Sequence, residues 1–585
     1  MQRGNRDWSS AMRGSAAMAD ESRSLADGAP RKSPLFAALH FPETVTFAPD
    51  PSVQHVPSNV TTMTDPSPPS PPGRRTRFLW VVWGLVLLAV VGLGLVPELE
   101  RNFLAWLRAV LVLVGLALTV VWFLVLGRFG WRTRLLGAAV LAAASFAAPR
   151  VFRVDGTVDG TGLPHLVLRG PDRSDAPAAV AVAAVPRPPA GTPAPVADPR
   201  AGDSTQFLGS RRDGVIAGVA LSPDWKTTPP RQRWRIPVGA AWSAFAVSGN
   251  VAVTQEQSGG SELVVARDLA TAGTLWVHTN AARFFQWQGG EGPRATPTLE
   301  GGRVYAQGGT GLLDCLSLAD GRPHWSRNVL VETGSPNLLW GASSSPLVLG
   351  DSVVVAGGGG HGPTLLAYRK SDGKPLWQSG TISASYASPV AARLLDKDVI
   401  LSVNGGSFTV HDPADGKVLL GVPWGDGKWP VAAQPVVVGT RRIFLSAGYG
   451  VGCVMLELAA APDGTFSATE VWRNKMMKTQ FNSAALRDGF LYGLDDGLLA
   501  CVDAATGKRR WKDGRYGSGQ SLVVGEHVLV QTEPGPVVLA AARPDGFAEL
   551  GRLAALDSKT WNYPTVAGHL LLVRNDHEAA CFELP

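Results

Sequence analysis

Four cysteines in 585 residues leave no disulfide framework to read. Cys315, Cys453, Cys501 and Cys581 stand far apart, without a C-x-x-C spacing. Cys315 in LLDCLSLADG and Cys501 in LLACVDAATG each lie six residues before a glycine, and Cys581 in AACFELP fits the same strand position. Recurrence at one place predicts a small buried strand residue rather than a metal ligand. Charge is also scarce: 17% of residues are charged, the formal net charge is +6, and no Lys/Arg run could track a phosphate backbone. Arg211–Arg212 and Arg441–Arg442 read as solvated turn residues, so nucleic acid is not an expected partner. The ten histidines form no H-E-x-x-H or H-x-H, and GGGG (357–360) before His361 lacks the strand–GxxxxGK[ST]–helix setting of a phosphate loop. No apolar stretch follows the start, which excludes a secretory signal there.

What is present is glycine (67) and proline (44), unevenly spread. Residues 1–73 are polar, broken by Pro and Ser, and end in PSPPSPPG (66–73), so a disordered region is expected. Met63 is an alternative start. A membrane anchor of two to three helices is expected over 74–152. Residues 78–96 and 109–126 are uncharged and close to the ~20 residues that span a bilayer. A third run, 135–148, is shorter and ends at Pro149 and Arg150. Arg74, Arg75 and Arg77 precede the first run and Arg128, Arg132 and Arg134 follow the second, while PELERN between them carries two Glu. The positive-inside rule puts the N-terminus and the second loop in the cytoplasm. If the third run spans, everything beyond about residue 153 is exported. Residues 153–203 read as an extended segment and a Pro/Ala-rich linker, a stalk that at ~3.1 Å per residue reaches on the order of 100 Å over 171–203.

Self-similarity governs 204–585. A turn glycine is followed four residues later by a large apolar residue in ADGRPHW (Trp325), SDGKPLW (Trp377) and ATGKRRW (Trp511), with Leu420 and Leu550 in variant copies. Trp276 follows a turn one residue shorter, and Trp472 a longer hairpin. Upstream of each turn lies a strand introduced by a small residue and Pro, as in ATPTLEGGRVYAQG and SSPLVLGDSVVVAG. Steps of 39 to 52 residues, each worth about four short strands, predict propeller blades. Seven units span about 242–280, 294–328, 343–380, 385–424, 431–474, 481–513 and 519–553. An eighth begins at Trp561 and lacks its outer strand. The orphan strand RQRWRIPV with Trp234 would complete it, closing an eight-bladed all-β ring without free sheet edges. An open array or a seven-bladed ring is the alternative.

These units resemble PQQ-like (pyrroloquinoline-quinone-like) propeller repeats, whose signature runs A-x-D-x-x-T-G-x-x-x-W; ACVDAATGKRRW (500–511) is close to a full match. QFLGSRRDGV (206–215), GPRATPTLEGGRVY (292–305) and KTWNYPTVAGHLLLVRN (559–575) resemble bacterial envelope members of that group, the BamB-like propellers. The resemblance implies that Trp234, Trp276, Trp325, Trp377, Trp472 and Trp511 dock neighbouring blades. It also implies two activities: a non-catalytic scaffold for protein or peptide partners, or a quinoprotein dehydrogenase holding PQQ and Ca²⁺ in a central funnel. The second lacks its adjacent cysteine pair here, the repeats leave little chain for insertions, and Asp495–Asp496 reads as a hairpin turn. The expectation is therefore a scaffold without cofactor or catalytic residues, at a bacterial inner membrane with the propeller on the periplasmic side. If a ligand funnel exists, its candidates lie near strand starts: Arg294, Trp340, Tyr386, Trp429, Asn482, Trp561 and Asn562.

Overall fold

The computed structural model describes residues 74–93, 101–157, 163–169, 200 and 202–585. The expectations for 1–73, for most of the loop between the first two helices and for most of the 171–203 stalk lie outside them. Three apolar helices come first: α1 (Arg74–Leu93), α2 (Arg101–Val121, continued by a π-helical turn Trp122–Leu126) and α3 (Trp131–Val151). In α1 and α2 the Trp83 indole donates to Thr119 Oγ1 at 3.1 Å and lies over Gly115, where a Cβ would meet the ring at 3.3 Å. The sequence ranked the third run weakest, yet α3 has the length and composition to cross a bilayer, as does Phe103–Leu126; the apolar part of α1, Arg77–Leu93, is shorter. A hairpin follows α3 at once, pairing Phe152–Thr157 with Pro164–Leu168 where extended chain was expected.

Eight sheets form the propeller, each a four-stranded antiparallel meander. Blades one to seven cover 246–280, 298–328, 347–379, 390–423, 436–474, 485–515 and 520–553. Blade eight joins three C-terminal strands (565–583) to Arg231–Pro237, with Cys581 opposite Trp234, as the orphan strand predicted. Arg574 secures the closure: its buried guanidinium donates to Thr254 Oγ1 and to the Gln255 and Gly239 carbonyls of the blade-one side.

The repeated Trp and Gly prove to be two halves of one joint. Each of Trp234, Trp276, Trp325, Trp377, Trp472 and Trp511 donates its indole N–H to a backbone carbonyl at the turn of the next blade, at 2.7–3.1 Å. Four of the rings lie on the next turn's glycine: a Cβ on Gly321, Gly373, Gly416 or Gly507 would meet the preceding blade's indole at 2.5–2.6 Å. Those glycines also have positive φ, so both space and backbone exclude a side chain. Trp234, Trp276 and Trp325 are buried; Trp377, Trp472 and Trp511 are only partly so. Leu420 interrupts the series, and there the long blade-five hairpin folds over the gap, packing Phe466, Leu456 and Leu458 into a cluster with Leu419 and Leu420. Opposite the tryptophans sit Cys315, Cys501 and Cys581, buried and unbridged, the small strand residues expected.

Residues 202–216, which precede the closing strand, run across the propeller axis. Their backbone carbonyls accept from inner-strand or hairpin amides of four blades: Gly568 to Gly202, Val247 to Ser204, Leu299 to Thr205 and Val523 to Gly214, at 2.7–3.0 Å. The Arg212 guanidinium, fully buried and held down to about 9 by desolvation, donates to the Ser345 and Pro346 carbonyls of blade three. Val215–Ile216 then add a parallel strand to the inner edge of blade seven.

Candidate functional site

An antiparallel four-stranded blade returns every blade-to-blade connection to one face, together with the hairpins between its second and third strands. The Asp-Gly turns that receive the tryptophans lie on the other face. All seven candidate residues belong to such connections, and so share the connection face. Three of them, Arg294, Trp340 and Tyr386, come together at the 285–291 hairpin, where a Cβ on Gly289 would lie 2.9 Å from Trp340 and 3.2 Å from the Arg294 guanidinium; the seven do not form one site. Trp340 and Tyr386 meet edge to face at 5.6 Å. Trp429 is half-exposed and stacks flat on Tyr449, with centroids 5.3 Å apart and planes 7° apart. Trp561 packs with Trp242 (5.1 Å) and Phe481 (5.3 Å), and the Lys559 ammonium lies 4.7 Å from the Trp561 ring and 5.1 Å from Trp242. Such an ammonium is held by the negative faces of the two rings.

The remaining candidates, Asn482 and Asn562 buried and Arg294 half-buried, belong to the scaffold that shapes these loops. Asn482 accepts from the Leu494 amide, and Asn562 donates to the carbonyls of Ala241 and Ser243. Arg294 donates to the carbonyls of Gly289, Gly290 and Gly292 and covers the Phe284 ring at 4.5 Å; burial lowers it to about 10. Its donors therefore fix the 285–291 hairpin.

Sequence reasoning missed several groups on this face. Glu262 is buried beside the blade-two hairpin, where Oε1 accepts from the Gly309 amide at 3.0 Å and Oε2 has no partner among the described residues. Desolvation pushes its carboxyl up to about 7. Asp495 belongs to the turn expected, yet it is fully buried and accepts from Lys478 (2.8 Å), Arg509 (2.9 Å) and Lys512 (2.7 Å). Glu533 accepts from Trp561 Nε1 and the Ser518 amide. Glu262 and Glu533 contact the connections or hairpins of other repeats, which spacing within a repeat does not show; Asp495 gathers its cations from its own blade and the connection entering it, where no motif marks them.

Two connections are longer than the expectation of little spare chain allowed. Residues 281–297 carry the 285–291 hairpin, and 329–346 carry the helical turn Val329–Thr333. They present Phe285, Trp287, Val331 and Leu339 to solvent, and the next three connections add Ile382, Trp429 and Met476. Elsewhere on the described propeller, the exposed large apolar side chains are Leu376, Val418 and Val471, all on outer strands.

The protein-family model described as "Outer membrane protein assembly factor BamB" matches residues 260–513. No curated protein sequence matches the chain. Among solved structures, BamB from Moraxella catarrhalis is 16% identical, covering 61% of this chain and 98% of its own, with a TM-score of 0.44. A europium-containing methanol dehydrogenase is 12% identical over 66% of this chain and 98% of its own, at 0.51. The quinohemoprotein alcohol dehydrogenase ADHIIG from Pseudomonas putida HK5 is 11% identical over 66% and 80%, at 0.47. At such identities the likeness concerns the fold alone.

Proposed function

We propose that this chain, an eight-bladed propeller whose repeats resemble the PQQ-like type, is a non-catalytic scaffold whose connection face binds an apolar segment of a partner protein. On this reading α1–α3 anchor it in a bacterial inner membrane, with the propeller on the periplasmic side. The carrying observation is the one-sided distribution of exposed apolar side chains. Phe285, Trp287, Val331 and Leu339 occupy adjacent connections, and Val331 and Leu339 are 75% and 62% exposed. Apolar patches of this kind on a soluble domain mark interaction surfaces, and aromatic residues dominate their energetics.

The donor set supports this reading over a quinone enzyme. A calcium ion beside PQQ would need six to eight converging oxygens. Glu533 is engaged with Trp561, Asp495 with three cations, and Glu262 sits where burial favours its neutral form. Among the described residues, one group of potential ligands comes together, Asp557, His577 and Glu578, and there Glu578 pairs with Arg235 at 2.6 Å. These residues do not fit a quinone–calcium site. The test is site-specific photocrosslinking in intact cells from residues 287 and 339, with 376 and 418 as controls. One polypeptide adduct from the first pair, lost in Val331→Asp, is expected. Equal labelling from all four positions would refute a directed face.

A further inference from the structure

The axial segment leaves part of the channel open. A cavity of about 280 Å³ remains between Leu208, Arg212 and Val215 on one side and the inner strands of blades four to six on the other, with Ala391, Arg393 and Val437 in its wall. Alternate residues of an inner strand turn their N–H and C=O groups toward the axis, because the opposite edge is already paired with the second strand. Residues 202–216 serve such groups in blades eight, one, two, three and seven. Among the described residues, no backbone hydrogen bond joins that segment to the inner strands of blades four and five.

Inner-strand length sharpens the contrast. Six blades have inner strands of three residues, while blades four (Val390–Leu394) and seven (Gln520–Val524) have five. Blade seven uses the extra length to pair with Val215–Ile216. Blade four has the same length, an open edge and a cavity in front of it. Its wall is mostly Ala, Val, Leu and Pro, and its guanidinium groups, Arg211, Arg212 and Arg393, outnumber the one carboxylate, Asp213.

From this we infer that the cavity is a second binding site, in which an extended polypeptide segment of a partner adds to the inner edge of blade four. Its chemistry follows from the walls. Main-chain groups pair with the open edge, small apolar side chains at alternate positions fill the cavity, and an acidic residue at one end competes with Asp398, 3.0 Å from Arg393, for that exposed guanidinium. This is strand addition as Val215–Ile216 performs it on blade seven, supplied from outside the chain. The site lies beside the axial segment, on inner-strand edges and not among the exposed apolar side chains of the connections, and stands whether or not those bind a protein. Near the lower end of the ~300–1,000 Å³ range of ligand pockets, it suits a few residues of chain rather than a folded domain.

The test uses the full chain in lipid nanodiscs and a fluorescent octapeptide of alternating alanine and valine with an N-terminal glutamate, followed by anisotropy. Saturable binding is expected, weakened at least tenfold when alternate peptide amides are N-methylated. Ala391→Trp should abolish it, and Ala391 is exposed, so the substitution leaves the core intact. Arg393→Glu, at an exposed side chain, should weaken it severalfold and serves if Ala391→Trp unfolds the protein. Absence of saturable binding would overturn the inference. So would equal affinity for the N-methylated peptide, or displacement by decanoate as effective as by unlabelled peptide, which would mark a cavity for aliphatic tails.

Discussion

Gly416 and Gly464 both close the outer hairpin of their blade with φ near +75 to +80°, but the blade-five hairpin is longer and carries Gly464 past the joint. Gly416 lies under the Trp377 ring, with 2.5 Å between a built Cβ and the indole; around Gly464 nothing lies within 4 Å, because it tips the extended hairpin. Gly464→Ala should therefore cost only the backbone term, about 1 kcal/mol, and Gly416→Ala clearly more, roughly 2–4 kcal/mol with the steric term added. Equal losses in denaturant unfolding would contradict the joint. Trp276→Ala, which empties a buried ring site, should cost roughly 3–5 kcal/mol. Glu262 sets a pH dependence. Its folded value is raised, so its contribution to stability is full below the ordinary carboxyl value of 4.5 and is lost as pH rises through about 7. Above that the buried carboxylate costs roughly 3 kcal/mol net, the balance of desolvation and Asp314, which raise its value, against the Gly309 amide and Arg294, which lower it. Glu262→Gln should raise the Tm at pH 8 and flatten its slope between pH 5 and 8. An unchanged slope would assign the effect elsewhere. The Trp and Gly were legible as a motif. Their pairing was not, since it joins residues of adjacent repeats.

At the scale of elements, ring closure is carried by Arg231–Pro237, whose removal would leave the third strand of blade eight with an unpaired edge. Deleting 230–238 should markedly lower the thermal unfolding temperature of the propeller, and an unchanged transition would refute closure by this strand. RQRWRIPV could be recognised because it carries the outer-strand Trp without the rest of a repeat. The axial segment could not. Its few apolar residues, Phe207, Leu208, Val215 and Ile216, show no period, and its attachment consists of main-chain bonds to blades far away in sequence. Arg212 shows the same limit: Arg211–Arg212 reads as a solvated turn, and Arg211 is exposed as expected, but Arg212 is buried with two carbonyls as partners. Arg212→Ala should cost roughly 2–4 kcal/mol, since both carbonyls lose a charged donor. A loss under ~0.5 kcal/mol would make the axial segment a passive filler.

For the whole molecule, blade number and closure followed from counting repeats, whereas the face proposed for docking required the fold. Exposed Trp287 and Leu339 look no different in sequence from the aromatic and aliphatic residues of the core. Extra length was readable in the long repeats, but not its destination, which is the connection face for 281–297 and 329–346 and the blade-five hairpin for 452–474. The anchor makes its own prediction. A reporter active only outside the cytoplasm should work when fused after residue 200 and be silent after residue 130; silence at 200 would mean that α3 does not span. The scaffold reading meets its most direct test in titration of the purified protein with PQQ and Ca²⁺, followed by absorbance and by alcohol- or sugar-dependent dye reduction. The account predicts neither stoichiometric uptake nor turnover. Stoichiometric quinone binding with substrate-dependent dye reduction would contradict it.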